Sequence, residues 1–284
     1  MKRYVVSRIS TIGMCSVLIA SLGQQTSGQQ SGPARQTAPG KPAPARRAAA
    51  EPSSPSQWLS INVVRVKADM LTEYQEFVRN EANPALKKGG MKERHAYTTG
   101  VFGEAYEYVY VTPIENFANY DGPSAVVKAL GEEGARSFGA KARRFVASSR
   151  TFAVRTRPDL SIEGSTTNPP KLAVINTITV VPGKNLEFEA LFKNELLPVA
   201  KKMGVTALLV SQTVVGGNTN EYTAIGLFDS FAEVSKGSPL VRGLGGPEGF
   251  NRFLLKFTGI VASHERTIAR FVPDMSFTAA APAK

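Results

Sequence analysis

The stretch EYQEFVRNEANPALKKGG, from Glu73 to Gly90, recurs as EFEALFKNELLPVAKKMG, from Glu187 to Gly204. The copies align without a gap at an offset of 114 residues, and seven of 18 positions are identical. About one match is expected at ordinary residue frequencies. Such a repeat implies an internal duplication, which constrains architecture before any single motif does. Tyr74, Phe77, Val78 and Ala85 in one copy, and Leu191, Phe192, Leu196 and Val199 in the other, follow the helical period. Lys87, Lys88, Lys201 and Lys202 put positive charge where the helix dipole favours it, and Gly90 and Gly204 stand at a left-handed cap. Pro84 and Pro198 fall inside the pattern. Each removes the bond to the carbonyl of Asn80 or Asn194, so a kink is expected in both copies. The paired Asn80/Asn194 and Glu81/Glu195 either line a site or form a solvated flank, and the flank is the expectation on an amphipathic helix.

Matches continue outward from this helix. Ile61 pairs with Ile175, Asn62 with Asn176, Glu107 with Glu221, Tyr108 with Tyr222 and Phe117 with Phe231. After a one-residue shift near Pro247, Phe138 pairs with Phe253 and Pro158-Asp159 with Pro273-Asp274. Apolar runs predict strands at Trp58–Lys67, Met91–Val101, Glu104–Thr112 and Arg150–Arg157, with a broken helical region from Ile114 to Val146. The second copy predicts strands at Leu172–Val181, Val205–Val215, Asn220–Phe228 and Thr267–Phe271, with helices over 184–203 and 230–262. The order β-α-β-β-α-β is the ferredoxin-like unit, so the fold class is α+β: residues 57–164 and 171–278 as two such repeats, joined by a linker at 165–170 and followed by a tail at 279–284. Two such sheets in one chain can pack face to face and enclose a barrel.

The ends of the chain read differently. Lys2, Arg3 and Arg8 precede an apolar run from Ile9 to Gly23, the pattern of a secretory signal peptide over 1–23, so the protein is expected to be exported to a periplasmic or extracellular compartment. The single cysteine, Cys15, lies in that run, which leaves the mature chain without disulfide or thiol chemistry. Residues 24–56 are rich in Gln, Ser, Gly, Pro and Ala and read as a disordered tether. Of the formal net charge of +11, the leader carries +3 and the tether +3, which leaves +5 on the folded part. That weak excess argues against a nucleic-acid partner, and the basic tether is suited at most to weak contact with an anionic envelope surface.

Val181-Pro182-Gly183-Lys184 after a strand, Glu187-Phe188 on the helix and Asn220-Glu221-Tyr222 opening the next strand resemble the dimeric α+β barrel superfamily, in particular its NIPSNAP-like and antibiotic-biosynthesis-monooxygenase-like members. The resemblance spans 58–278. It implies a barrel usually assembled from two chains, here supplied by one chain as a monomeric pseudo-dimer or a homodimer of it. It also implies a pocket between sheet and helices with an asparagine on the first strand, a position that Asn62 and Asn176 match. The haem-degrading members need a helix histidine, which neither copy has.

The candidate site residues follow from strand alternation. If the hairpin turns about Phe102-Gly103, then Tyr106, Tyr108 and Tyr110 share a face with Tyr97 and His95, with Tyr97 opposite Tyr108 and His95 opposite Tyr110. The other face carries Ala96, Val109 and Val111, or Val210, Thr223 and Ile225, and is expected to meet the helices. The Tyr/His face then looks into the barrel, with Tyr222 among smaller residues on the opposing sheet; it is either an aromatic pocket or space-filling. Asn62 and Asn176 lie mid-strand among valines and need polar partners. No nucleophile elbow, phosphate-binding glycine motif or metal-ligand spacing is present, so no metal and no cofactor is expected. The sequence therefore points to an exported α+β barrel that binds a small apolar or aromatic ligand. The alternative is a cofactor-independent monooxygenase acting on an aromatic or quinol substrate.

Overall fold

The first strand, β1 (Trp58–Val66), carries valines at 64 and 66 that are buried against helices, and it pairs on both sides, with Asn62 opposite Tyr110 on one neighbour and Thr151 on the other. The computed structural model describes residues 55–164 and 170–278. The expected leader at 1–23, nearly all of the tether at 24–56, residues 165–169 of the linker at 165–170 and the tail at 279–284 lie outside the described residues. Among the described residues, no helix is long and apolar enough to cross a membrane.

After β1 come helices α1 (Leu71–Phe77) and α2 (Asn83–Lys88), strands β2 (Glu93–Phe102) and β3 (Glu107–Ile114), helix α3 (Ala125–Phe145) and strand β4 (Val146–Thr156). The second half follows with β5 (Leu172–Val180), α4 (Asn185–Leu191), α5 (Leu197–Lys202), β6 (Leu208–Val215) and β7 (Glu221–Phe228). Short helices α6 (Phe231–Ser235), α7 (Pro239–Gly243) and α8 (Gly246–Leu255) then lead to β8 (Val261–Phe271) and a short β9 (Phe277–Thr278). The strand order is β2-β3-β1-β4 in the first half and β6-β7-β5-β8 in the second. β4 pairs with β6 and β8 with β2, all antiparallel, so eight strands close into one barrel without a free edge. The helices cover its outer face, with one hydrophobic core beneath α1–α3 and a second beneath α4, α5 and the 255–260 segment.

Each half donates its last turn to the other. After β4, the Arg157 N–H donates to the Val210 carbonyl at 2.7 Å, and Leu160, fully buried, sits among Val180, Phe188, Phe192 and Tyr222 of the second half. After β8, the Val272 N–H donates to the Ala96 carbonyl at 2.9 Å, and Met275, also fully buried, sits among Val64, Tyr74, Phe77 and Tyr110 of the first. Burying such a side chain contributes about 1.5–3 kcal/mol, so the halves stabilise each other through their cores as well as through shared strands.

Three expectations need correction. First, what marks the helix at both prolines is a π turn just before each, a feature that the lost hydrogen bond alone does not foretell. The Asn83 N–H bonds to the Val78 carbonyl and the Leu197 N–H to the Phe192 carbonyl, five residues back. The wide turn accommodates the position where proline has no N–H to give. Second, β4 and β8 begin at Val146 and Val261, well before Arg150 and Thr267. Their early residues (Ser148, Ser149, Ser263, His264) are exposed, since no helix covers that part of the sheet, and their polarity hid the strand. Third, the region 230–262 breaks not only at Gly245-Gly246, where the sequence already marks an interruption, but also at Gly237, which leaves three short helices; all three glycines have positive φ.

Candidate functional site

The β2–β3 hairpin decides which side chains face where. Its register places Ala96 opposite Tyr110 and Thr98 opposite Tyr108, with His95 opposite Val111 and Tyr97 opposite Val109. The loop extends over 103–106, one residue out of step with a turn about Phe102-Gly103, and a one-residue slip moves every side chain to the other face. Tyr108 and Tyr110 therefore face the helices and not the barrel. Tyr106 lies outside the strand, 44% exposed at φ 60, its carbonyl accepting the Val66 N–H. His95 and Tyr97 do point into the barrel, where both rings contact Phe271 and His95 Nε2 is 2.5 Å from Glu93 Oε1. Of the residues expected on the helix side, Ala96 and Val210 are there, whereas Val109, Val111, Thr223 and Ile225 face inward.

Tyrosines on the helix side find partners for their hydroxyls, as buried phenols must. Tyr74 and Tyr110 share a hydrogen bond of 2.7 Å, and Gln75 Nε2 donates to the Tyr108 hydroxyl at 2.7 Å. The Arg94 guanidinium stacks 3.6 Å from the centre of the Tyr110 ring and donates through Nη1 to Asn83 Oδ1 at 2.9 Å. Burial pushes Tyr110 up to about 12, against the pull of Arg94, and burial also lowers Arg94 itself. The second half answers with charge. The Tyr222 hydroxyl donates to Glu189 Oε1 at 2.6 Å, and Arg157 bonds both Glu189 and Asp159. The hydrogen bond from Arg157 holds both carboxyls below their ordinary values, while burial raises Tyr222. These are packed networks that orient α1 and α4 on the sheet.

Asn62 and Asn176 lie on the helix side, as their spacing predicts, and each bonds to a neighbouring strand. Asn62 Nδ2 donates to Thr151 Oγ1 at 2.8 Å and to Ser149 Oγ at 3.1 Å. Asn176 Nδ2 donates to the Ala224 carbonyl at 3.1 Å, and its Oδ1 accepts from Arg266 Nε at 2.7 Å, with His264 Nε2 at 3.2 Å. Partial burial, and then Arg266, lower the His264 pKa.

Thr151 connects Asn62 to an open cleft of about 230 Å³ on the outer face, where β1 and β4 of the first half meet the end of β6. Ser60, Thr151 and Ala153 form its floor; Phe117, Tyr120 and Val215 form its walls. Trp58 packs edge-on to Phe117 with ring centres 5.0 Å apart, and Phe117 meets Tyr120 at 6.1 Å. Tyr120 is 65% exposed and Val215 54%, so the walls present apolar surface to solvent with two hydroxyls beneath. A cleft of this kind can hold a small flat ring against aromatic faces and bond one polar substituent. At the corresponding positions of the second half stand Val174 for Ser60, Arg266 for Thr151 and Ile268 for Ala153, and beside them Phe102, from the end of β2 in the first half, takes the place of Gly216. There the Phe102 ring contacts Phe231 with centres 6.0 Å apart. Sequence reading missed Ser60, Thr151, Phe117, Tyr120 and Val215 because the cleft lies beside the uncovered part of β4.

No protein-family model matches the chain, and no curated protein of similar sequence is found. Among solved structures, a double mutant of chlorite dismutase from Candidatus Nitrospira defluvii superimposes with a TM-score of 0.52 at 10% identity, over 78% of this chain and 94% of that one. An anthrone oxidase-like protein gives 0.48 at 11% identity over 76% and 91%, and a heme-binding protein from Thermus thermophilus gives 0.46 at 9% identity over 80% and 96%. The chain shares with the first of these its fold, an α+β barrel.

Proposed function

We propose that this protein is an exported, internally duplicated α+β barrel that binds a small flat apolar or aromatic molecule in the outer cleft of its first half. The carrying observation is the cleft itself: exposed Phe117, Tyr120 and Val215 above the hydroxyls of Ser60 and Thr151, with Thr151 fixed by Asn62. Aromatic faces and a few placed polar groups are what such sites use, and exposed apolar walls beside them mark a surface with a partner. The matched residues at an offset of 114 and the repeated strand order support the duplication, with ferredoxin-like repeats over 57–164 and 171–278. The basic and apolar run over 1–23 supports export. Haem is not the ligand this site fits. Neither histidine lines the cleft, since His95 is inside the barrel and His264 lies on β8.

The only tryptophan, Trp58, packs on the cleft wall, so its fluorescence reports occupancy. Titration with 1-naphthol, 2-naphthol and hydroquinone is expected to change Trp58 emission saturably for at least one of them. For a ligand of about ten heavy atoms, a Kd on the order of 0.1 mM is reasonable. Replacing Thr151 and Ala153 by the second-half residues (Thr151→Arg with Ala153→Ile) should weaken binding at least tenfold by occupying the floor. Equal binding by that variant, or no saturable response to any of the three, defeats the reading.

A further inference from the structure

A second, larger cleft of about 450 Å³ opens on the helical layer of the first half, between α2 and α3. It is separate from the outer cleft and shares no residue with it. Pro84, Ala85, Leu130 and Phe138 give it apolar walls, and Leu130 is left 41% exposed there. Phe138 continues inward to Phe77 with ring centres 4.9 Å apart, so the walls belong to the rigid core. The charged lining is Glu81, Lys88 and Lys141, one positive charge in excess. Lys141 is paired with Glu81 at 2.5 Å, while Lys88 also lines the cleft and makes no ion pair among the described residues. Apolar walls under one uncommitted ammonium are complementary to a molecule with an apolar body and a single anionic end.

The second half shows that this space is a property of particular residues rather than of the fold. Its helices keep the matching proline, both lysines and the glutamate, and Lys256 pairs with Glu195 as Lys141 does with Glu81. Yet Val199 replaces Ala85, Met203 replaces Gly89 and Arg252 replaces Ser137. A Cβ on Gly243 would lie 2.5 Å from Met203 and 2.7 Å from Val199, so α7 is pressed directly against these larger side chains. Arg252 extends back to Gly249, its Nη2 lying 3.8 Å from where a Cβ there would be. In the first half the same positions carry the smaller Ala85, Gly89 and Ser137, and Ala85 and Ser137 line the open cleft.

We propose that the α2–α3 cleft of the first half binds amphipathic monoanions, an aliphatic chain seated on Pro84, Ala85, Leu130 and Phe138 with its carboxylate on Lys88. The test uses decanoate as the probe and decanol as the uncharged control, titrated into the full chain while the methyl signals of Ala85 and Leu130 are followed by NMR. Decanoate is expected to shift both signals saturably and to bind about fivefold tighter than decanol, the scale of one partly exposed ion pair, with the preference shrinking at high salt. Lys88→Gln should remove the preference for decanoate and leave decanol binding unchanged. Ser137→Arg, a change at the surface to the residue of the second half, should abolish the shifts by both probes, with an unchanged melting temperature showing that the variant folds. Absence of saturable shifts, equal binding of the two probes to the natural chain, or undiminished binding by the folded Ser137→Arg variant would each overturn the assignment.

Discussion

The two halves of this barrel have one strand order and nearly one register, yet they spend their polar residues differently. In the first half, Tyr108 meets Gln75 and the polar pair beside Asn62 is Ser149 and Thr151. In the second, Tyr222 meets Glu189, clamped by Arg157, and the pair beside Asn176 is His264 and Arg266. Small residues leave two clefts open on the first half. At the corresponding positions of the second stand Val174, Ile268, Met203 and Arg252, with Phe102 of the first half packed beside them on Phe231. A shared fold therefore tolerates one half organised for packing and charge and another with space on its surface, because the barrel strands carry the architecture and the outer face is free to vary.

The largest expected effects test whether the halves are one cooperative unit. Met275→Ala and Leu160→Ala each delete a fully buried side chain that one half inserts into the other, and each should cost about 2–5 kcal/mol. Urea unfolding should show a single transition displaced in both variants. Two separated transitions, with only the recipient half shifted, would mean that the halves unfold independently.

An intermediate effect sharpens the contrast between the two tyrosine networks. Glu189→Gln gives the second half the amide that Gln75 provides in the first, and it should cost about 1.5–3 kcal/mol near neutral pH through loss of the charged bonds to Arg157. Glu189 has a folded-state pKa held below its unfolded value, chiefly by Arg157. Its contribution is thus present above the unfolded value of about 4.3 and is lost as pH falls through the depressed folded value. The stability gap between natural chain and variant, measured by denaturant titration from pH 7 downward, should close in acid. A gap that stays constant with pH would assign the cost to packing instead of charge.

The smallest effects are expected where the halves agree. Glu81–Lys141 and Glu195–Lys256 tie the paired helices at matching positions with side chains about half exposed. Lys141→Met and Lys256→Met should each change stability by about 0–1 kcal/mol. A loss of several kcal/mol in one half alone would show that this similarity, too, conceals a difference.

How much of this was legible depended on which residues carried the signal. The proline-containing helices, the order of elements and the face occupied by Asn62 and Asn176 all follow from periodicity and from residue matches between the two halves. The tyrosine face did not. A hairpin loop one residue out of step sent Tyr108 and Tyr110 to the helices, where Tyr74, Gln75 and Arg94 await them. The outer cleft was equally hidden, since Ser60, Thr151, Phe117 and Val215 are far apart in the chain and meet only when β4 extends beneath them and pairs with β6.

By itself the sequence determined that two similar β-α-β-β-α-β patterns lie in one chain, each with a proline-containing helix closed by lysines and glycine. Local periodicity and caps act within a few residues, so they can be read in order along the chain. The closed barrel was an expectation that the strand pairing bears out, whereas only the tertiary structure decided that each half plugs the core of the other, which face the tyrosines take, and where space remains. Those outcomes depend on register and on side-chain volumes summed over distant strands, and a shift of one residue or the exchange of a glycine for a phenylalanine reverses them.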